Sequence, residues 1–122
     1  MPEVLVIDDN PTQLSVRAAV LSDAGFSVRA VSSAEEALDW LVHDVSSREL
    51  RVILTDHVLP GASGAVLVRL LRGFRPAVRV FVITGMDDAE PEYSGLGVTF
   101  LHKPCPPEEL IQRIREALRG DG

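Results

Sequence analysis

Short apolar runs, each closed by a polar cluster and followed by helix-forming or turn chemistry, limit what this chain can fold into. Val4-Leu5-Val6-Ile7, Val52-Ile53-Leu54-Thr55, the stretch from Val78 to Ile83 and Val98-Thr99-Phe100-Leu101 are too short for helices and nearly free of polar residues. Such runs read as strands buried on both faces. Ser27-Val28-Arg29-Ala30-Val31 reads as another short strand.

Helical signals fall between the runs. Asn10 is placed to cap a helix with Pro11 at its first position, and Leu14, Ala18, Leu21 and Ala24 recur at spacings of three and four before Gly25 ends it. Ser33-Ala34-Glu35-Glu36 has the form of a capping box opening a helix that carries Ala37, Leu38, Leu41 and Val42 inward, with Trp40 as packing or cover. Asp44 to Glu49 is polar and aperiodic and reads as a loop. Pro60-Gly61-Ala62-Ser63-Gly64 turns the chain into a helix with Val66, Leu67, Leu70 and Leu71 on one side, up to Gly73. Met86 to Gly97 contains Pro91, several acids and two glycines, so a helix there is short, irregular or absent. After Pro106-Pro107, Leu110, Ile111, Ile114, Ala117 and Leu118 form an amphipathic stripe stopped by Gly120. Strands alternating with helices in this way predict an α/β fold, a mostly parallel doubly wound sheet with right-handed crossovers and helices on both faces.

At 122 residues the chain is expected to hold one core and one site, a single domain over 1–122. A net charge of −6 argues against direct nucleic-acid binding, which draws its affinity from Lys and Arg neutralising phosphates. A single cysteine allows no internal disulfide, and Cys105 reads as a small apolar residue. No apolar run is long enough to span a membrane, so a cytoplasmic location is the expectation.

In an open α/β sheet, ligands bind outside the carboxyl ends of the strands. Here those ends are Asp8-Asp9, Asp56, Thr84 and Lys103, and Lys103 is the only lysine of the chain. Three carboxylates brought to about 4 Å repel by roughly 4 kcal/mol per pair at an effective dielectric of about 20, which calls for a cation. Oxygen-rich surroundings suit Mg²⁺, and His43, His57 and His102 lack the paired spacing of zinc ligands. A metal, a hydroxyl and an ammonium around one carboxylate make an acceptor for a phosphoryl group, with Asp56 as nucleophile.

The residues I-D-D-N at Ile7 to Asn10, L-T-D-H-V-L-P-G-A-S-G at Leu54 to Gly64, V-I-T-G at Val82 to Gly85 and H-K-P at His102 to Pro104 resemble, in order and spacing, the bacterial receiver domain of response regulators. The resemblance covers essentially the whole chain. It implies a flavodoxin-like fold, a five-stranded parallel sheet of order 2-1-3-4-5. It implies Asp56 as phosphoacceptor from a phosphohistidine of a histidine kinase or histidine phosphotransfer protein. Asp8, Asp9, Asp56 and the backbone carbonyl of Val58 would bind Mg²⁺, with Mn²⁺ as an alternative. Thr84 and Lys103 would contact phosphoryl oxygens, Thr84 and Phe100 would form the switch, and the Lys103-Pro104 bond would be cis. Val58 and Met86, two residues after Asp56 and two after Thr84, would tune hydrolysis of the phosphoryl group. Phe100 lacks a tyrosine hydroxyl, so a switch there acts by packing.

The implied role is a relay element rather than a metabolic enzyme, with self-phosphorylation and slow self-dephosphorylation as its only chemistry and a weak homodimer as one partner option. The weak helix signal at Met86 to Gly97, together with the T-D-H-V-L-P-G-A-S-G and R-P-A-V-R-V-F-V-I-T-G stretches, looks more like receivers joined to hybrid histidine kinases than like those of DNA-binding regulators. An aspartyl-phosphate phosphatase would bring a second acid just after the nucleophile, where this chain has His57 and Val58. A mononucleotide binder would put glycine- or hydroxyl-rich loops where this chain has carboxylates. A receiver-like protein that signals without phosphorylation would not need the intact acceptor site.

Overall fold

A computed structural model describes residues 2–59, 62–85 and 90–120. The elements run β1 (Val4–Ile7), α1 (Pro11–Asp23), β2 (Val28–Val31), α2 (Ala34–His43), β3 (Val52–Asp56), β4 (Val58–Leu59), β5 (Ala62–Ser63), α3 (Gly64–Arg72), β6 (Arg79–Thr84), β7 (Val98–His102) and α4 (Pro107–Gly120). Five strands form one parallel sheet in the order β2-β1-β3-β6-β7, while β4 and β5 pair as a separate antiparallel ribbon. Counting only the large sheet, the order is the expected 2-1-3-4-5.

Alternation along the central strands divides the core into two layers. Leu5, Ile7, Ile53, Val80 and Val82 face α2 and α3, meeting Ala37, Trp40, Leu41, Leu67, Val68 and Leu71. Val4, Val6, Leu54, Phe81 and Ile83 face the other way, toward Leu21 of α1 and Leu110, Ile114 and Ala117 of α4. The central-strand side chains named in both layers are almost fully enclosed, so each large one contributes roughly 1.5–3 kcal/mol relative to exposure. This is the doubly wound arrangement that apolar runs without alternation require.

Local chemistry sets the ends of the elements. Asn10 accepts from the Gln13 N–H at the start of α1, with Pro11 in the first turn. Gly25, at φ +99°, closes α1 with its N–H on the Ser22 carbonyl while the Phe26 N–H reaches the Leu21 carbonyl. Ser33 accepts from the Glu36 N–H, but the Glu36 carboxylate accepts from the N–H and Oγ of Ser32. The expected reciprocal capping box is therefore displaced by one residue.

Three further expectations change. In α2, Ala37 and Leu41 are buried and Leu38 packs against the core as expected, Trp40 is buried with them, and Val42 is 62% exposed instead. In α3, Ala65, Leu67, Val68 and Leu71 are buried, while Val66 and Leu70 face solvent. That helix is apolar on more than one face, so sequence spacing left its phase open. Gly64 fixes it, because a Cβ there would come within 2.9 Å of the Asp56 carbonyl oxygen. The expected loop at 44–49 is a 3-10 turn, Val45–Glu49, in which Asp44 accepts from the N–H and Oγ of Ser46. Its Ser47 is enclosed and receives a hydrogen bond from Arg75. Between β6 and β7 the helical structure among the described residues is a single 3-10 turn, Glu90–Tyr93, as the poor helix signal there predicts.

Candidate phosphoacceptor site

Parallel register brings the strand ends to one edge. Ile7 lies beside Thr55, Asp56 beside Ile83, and Thr84 beside His102. The next residue of each strand or its loop then emerges at the same level. Asp8, Asp9, Asn10, Gln13, Asp56, Val58, Thr84, Gly85 and Lys103 line a single cleft of about 520 Å³.

Asp56 ends β3 with a nearly enclosed carboxylate whose Oδ2 lies 3.0 Å from Lys103 Nζ. Its backbone carbonyl accepts from Thr55 Oγ1, and the Val58 N–H approaches Oδ1 at 3.4 Å. Thr84 is buried, and its carbonyl receives the Lys103 N–H. The Lys103-Pro104 peptide is cis.

Asp8 is fully enclosed. Its Oδ1 accepts from the Asn10 N–H at 2.9 Å and its Oδ2 from Arg17 Nη1 at 2.5 Å. Burial raises its carboxyl above the ordinary value, with the Asp56 charge adding to the rise, while the Asn10 N–H, Arg17 and Lys103 act against it. Asp9 is exposed at the rim, and the Val58 side chain is 62% exposed. Met86 lies outside the described residues.

The crowding of acids expected from the strand ends is relieved partly by protein cations. Among the described residues no three acidic, histidine or cysteine side chains form a ready-made metal cluster, and Arg17 and Lys103 hold Asp8 and Asp56. The donors around the cleft are nevertheless carboxylate oxygens with backbone and hydroxyl oxygens beside them, which is the chemistry a hard divalent ion takes while keeping its own waters. The residues fit Mg²⁺ as donors.

Residues 4–115 match the family model of the response regulator receiver domain. The chain belongs to the response regulator receiver family. It is 32% identical over 98% of its length to the transcriptional regulatory protein AruR of Pseudomonas aeruginosa. It spans half the length of the curated relatives it matches. Its structure superposes with a TM-score of 0.88 on a response regulator receiver domain protein from Clostridium thermocellum, 27% identical, covering 99% of this chain and 97% of that one. With a TM-score of 0.85 it also resembles the receiver domain of a signal transduction histidine kinase from Syntrophus aciditrophicus, 25% identical, covering 98% and 92%. Similarity thus runs both to receivers of transcriptional regulators and to those of kinases. Receiver domains of this family pair with histidine kinases in two-component systems.

In this receiver domain the sequence reading missed Arg17, which looks like a solvated helix residue until its contact with Asp8 is seen. It also missed His57 and Tyr93. Their side chains meet, His57 Nδ1 lying 2.7 Å from Tyr93 Oη. Tyr93 also packs edge-on against Phe100, ring centroids 5.3 Å apart. That Tyr93 is the only tyrosine was the one available signal, and it lies in the segment that showed least structure.

Proposed function

We propose that this receiver, taken as one functional unit over 1–122, accepts a phosphoryl group on Asp56 from a phosphohistidine of a histidine kinase or phosphotransfer protein. The observation that carries the reading is the Asp56–Lys103 ion pair at the ends of two sheet strands, in the same cleft as the buried Asp8. A carboxylate oxygen of Asp56 attacks phosphorus, the O–P bond forms as the N–P bond breaks, and the departing imidazole takes the electron pair and a proton. Lys103, within hydrogen-bond distance of Asp56, would neutralise charge on the equatorial phosphoryl oxygens, and Thr84, in the same cleft, would donate its hydroxyl to them.

Asp8, Asp9, Asp56 and the Val58 carbonyl are the groups that would hold Mg²⁺. The ion would supply charge neutralisation across the acceptor and phosphoryl oxygens. Repositioning of Thr84, with repacking of the half-buried Phe100, is the proposed switch. The role is signalling rather than metabolic catalysis.

Incubation of the chain with acetyl phosphate, with and without Mg²⁺, followed by intact-mass measurement tests the proposal. A single phosphoryl adduct that is labile to both acid and base, needs Mg²⁺ and is absent in Asp56→Asn is expected. Label on Ser or Thr, or unchanged labelling of Asp56→Asn, would refute it.

A further inference from the structure

Two buried polar side chains join the acceptor loop to the turn that follows β6. His57, the residue after Asp56, has its N–H on the Ile83 carbonyl of β6 and its carbonyl on the N–H of Gly64 at the start of α3. Its ring is enclosed and points at Tyr93, itself 3% exposed. A carboxylate can only accept, so with Glu92 Oε2 at 3.1 Å from Nε2, that nitrogen carries the imidazole proton. In the neutral form of the ring Nδ1 then holds a lone pair and would accept from the Tyr93 hydroxyl, 2.7 Å away. Burial, together with the Glu92 and Asp56 charges, pushes the Tyr93 phenol above its ordinary value, which keeps it protonated as the donor.

The fit around this pair leaves little slack. A Cβ on Gly64 would come within 2.5 Å of Tyr93 Oη, and Arg69 of α3 donates to the Glu92 carbonyl at 3.1 Å. On its other side Tyr93 meets Phe100 of β7 with ring planes at 81°. Contacts therefore run from the loop after Asp56 to β7 through a short hydrogen bond and an aromatic edge.

We propose that His57 and Tyr93 are positioning residues that carry the state of Asp56 to the 90–97 segment and to Phe100. This rests on Asp56 being the phosphoacceptor. The pair makes the 90–93 turn the surface whose position reports phosphorylation, and it supplies from a neighbouring residue the tyrosine hydroxyl that Phe100 lacks.

The chain with selectively labelled tyrosine gives a direct readout, because Tyr93 is its only tyrosine. Its ring resonances, and hydrogen exchange of peptides covering 90–100, are compared with and without beryllofluoride and Mg²⁺, which mimic the acyl phosphate. In the parent both are expected to change. Tyr93→Phe keeps the ring against Phe100 but removes the hydroxyl, and it should reduce the exchange difference at least threefold while acetyl phosphate labels Asp56 within twofold of the parent rate. His57→Leu should abolish the Tyr93 resonance shift, and His57→Gln, whose amide oxygen can accept from the phenol, should retain it. Circular dichroism identifies variants that remain folded, and the Tyr93→Phe and His57→Gln pair stands if His57→Leu does not fold. An undiminished exchange difference in Tyr93→Phe, with normal labelling, overturns the coupling alone. Absence of label in the parent overturns the phosphoacceptor reading and the coupling with it.

Discussion

Arg17 of α1 donates to the buried carboxylate of Asp8 at 2.5 Å, placing a guanidinium against one of the acids that face the acceptor. The contact bridges the turn after β1 and brings a positive charge to the edge of the cleft. That charge opposes a divalent ion by an amount on the order of 1 kcal/mol in a well-solvated cleft. Arg17→Ala is therefore expected to tighten Mg²⁺ binding by about fivefold in a calorimetric titration. An unchanged or weaker affinity would mean that Arg17 orients Asp8 more than it repels the ion.

The enclosed state of Asp8 has a pH consequence. Burial raises its carboxyl above the unfolded value, so the folded chain holds the Asp8 proton more tightly than the unfolded chain does. Stability from this group is fully present below its unfolded pKa and is lost as pH rises through the raised folded value. At neutral pH the ionised Asp8 thus works against folding, and a bound cation offsets that effect. Without metal, Asp8→Asn should raise Tm at pH 7 and lose that advantage as the pH is lowered into the acid range. Mg²⁺ should raise the Tm of the parent more at pH 7 than at acid pH. Thermal melts across pH, with and without Mg²⁺, check both signs, and a lower Tm for Asp8→Asn at pH 7 would contradict the argument.

The strand ends were legible from sequence because each apolar run stops at a polar residue, and parallel register then brings those residues level without further information. Asp8, Asp56, Thr84 and Lys103 share one cleft for that reason. What was not legible depends on contacts between distant parts of the chain. The phase of α3 could not be read from an apolar stretch offering both Leu67-Leu71 and Val66-Leu70 as faces, and it is decided by the close approach of Gly64 to β3. His57 looked like a missing acid, and only the fold turns its ring toward Tyr93.

Arg72 shows how an arginine can serve as a structural tie. Its guanidinium donates to the carbonyls of Leu96 at 2.8 Å, Pro76 at 3.1 Å, Val78 at 2.6 Å and Gly97 at 3.2 Å, joining the end of α3 to the entry of β6 and the approach to β7. Removing it leaves these carbonyls to find water or remain unsatisfied. Arg72→Ala should cost about 2–3 kcal/mol in urea unfolding, with Arg72→Lys recovering little because an ammonium cannot span the same acceptors. A loss below about 0.5 kcal/mol would show that water replaces the guanidinium.

The lifetime of a phosphoryl group on Asp56 is expected to turn on Val58, two residues beyond it and on the wall of the same cleft. Its side chain is 62% exposed, so it can cover the approach to phosphorus without being locked by packing. An isopropyl group offers no hydrogen bond to an attacking water and no base to take its proton, so it excludes water rather than orienting it. Slow self-dephosphorylation is the expected outcome. Replacing Val58 by Asn supplies a carbonyl and an amide at nearly the same volume, and loss of the adduct, followed by time-resolved mass spectrometry at saturating Mg²⁺ without a partner, should accelerate by more than about threefold. A change smaller than that, under roughly 0.7 kcal/mol in the barrier, would mean that the exposed side chain lies away from the water path and that the rate belongs to the metal, Thr84 and Lys103.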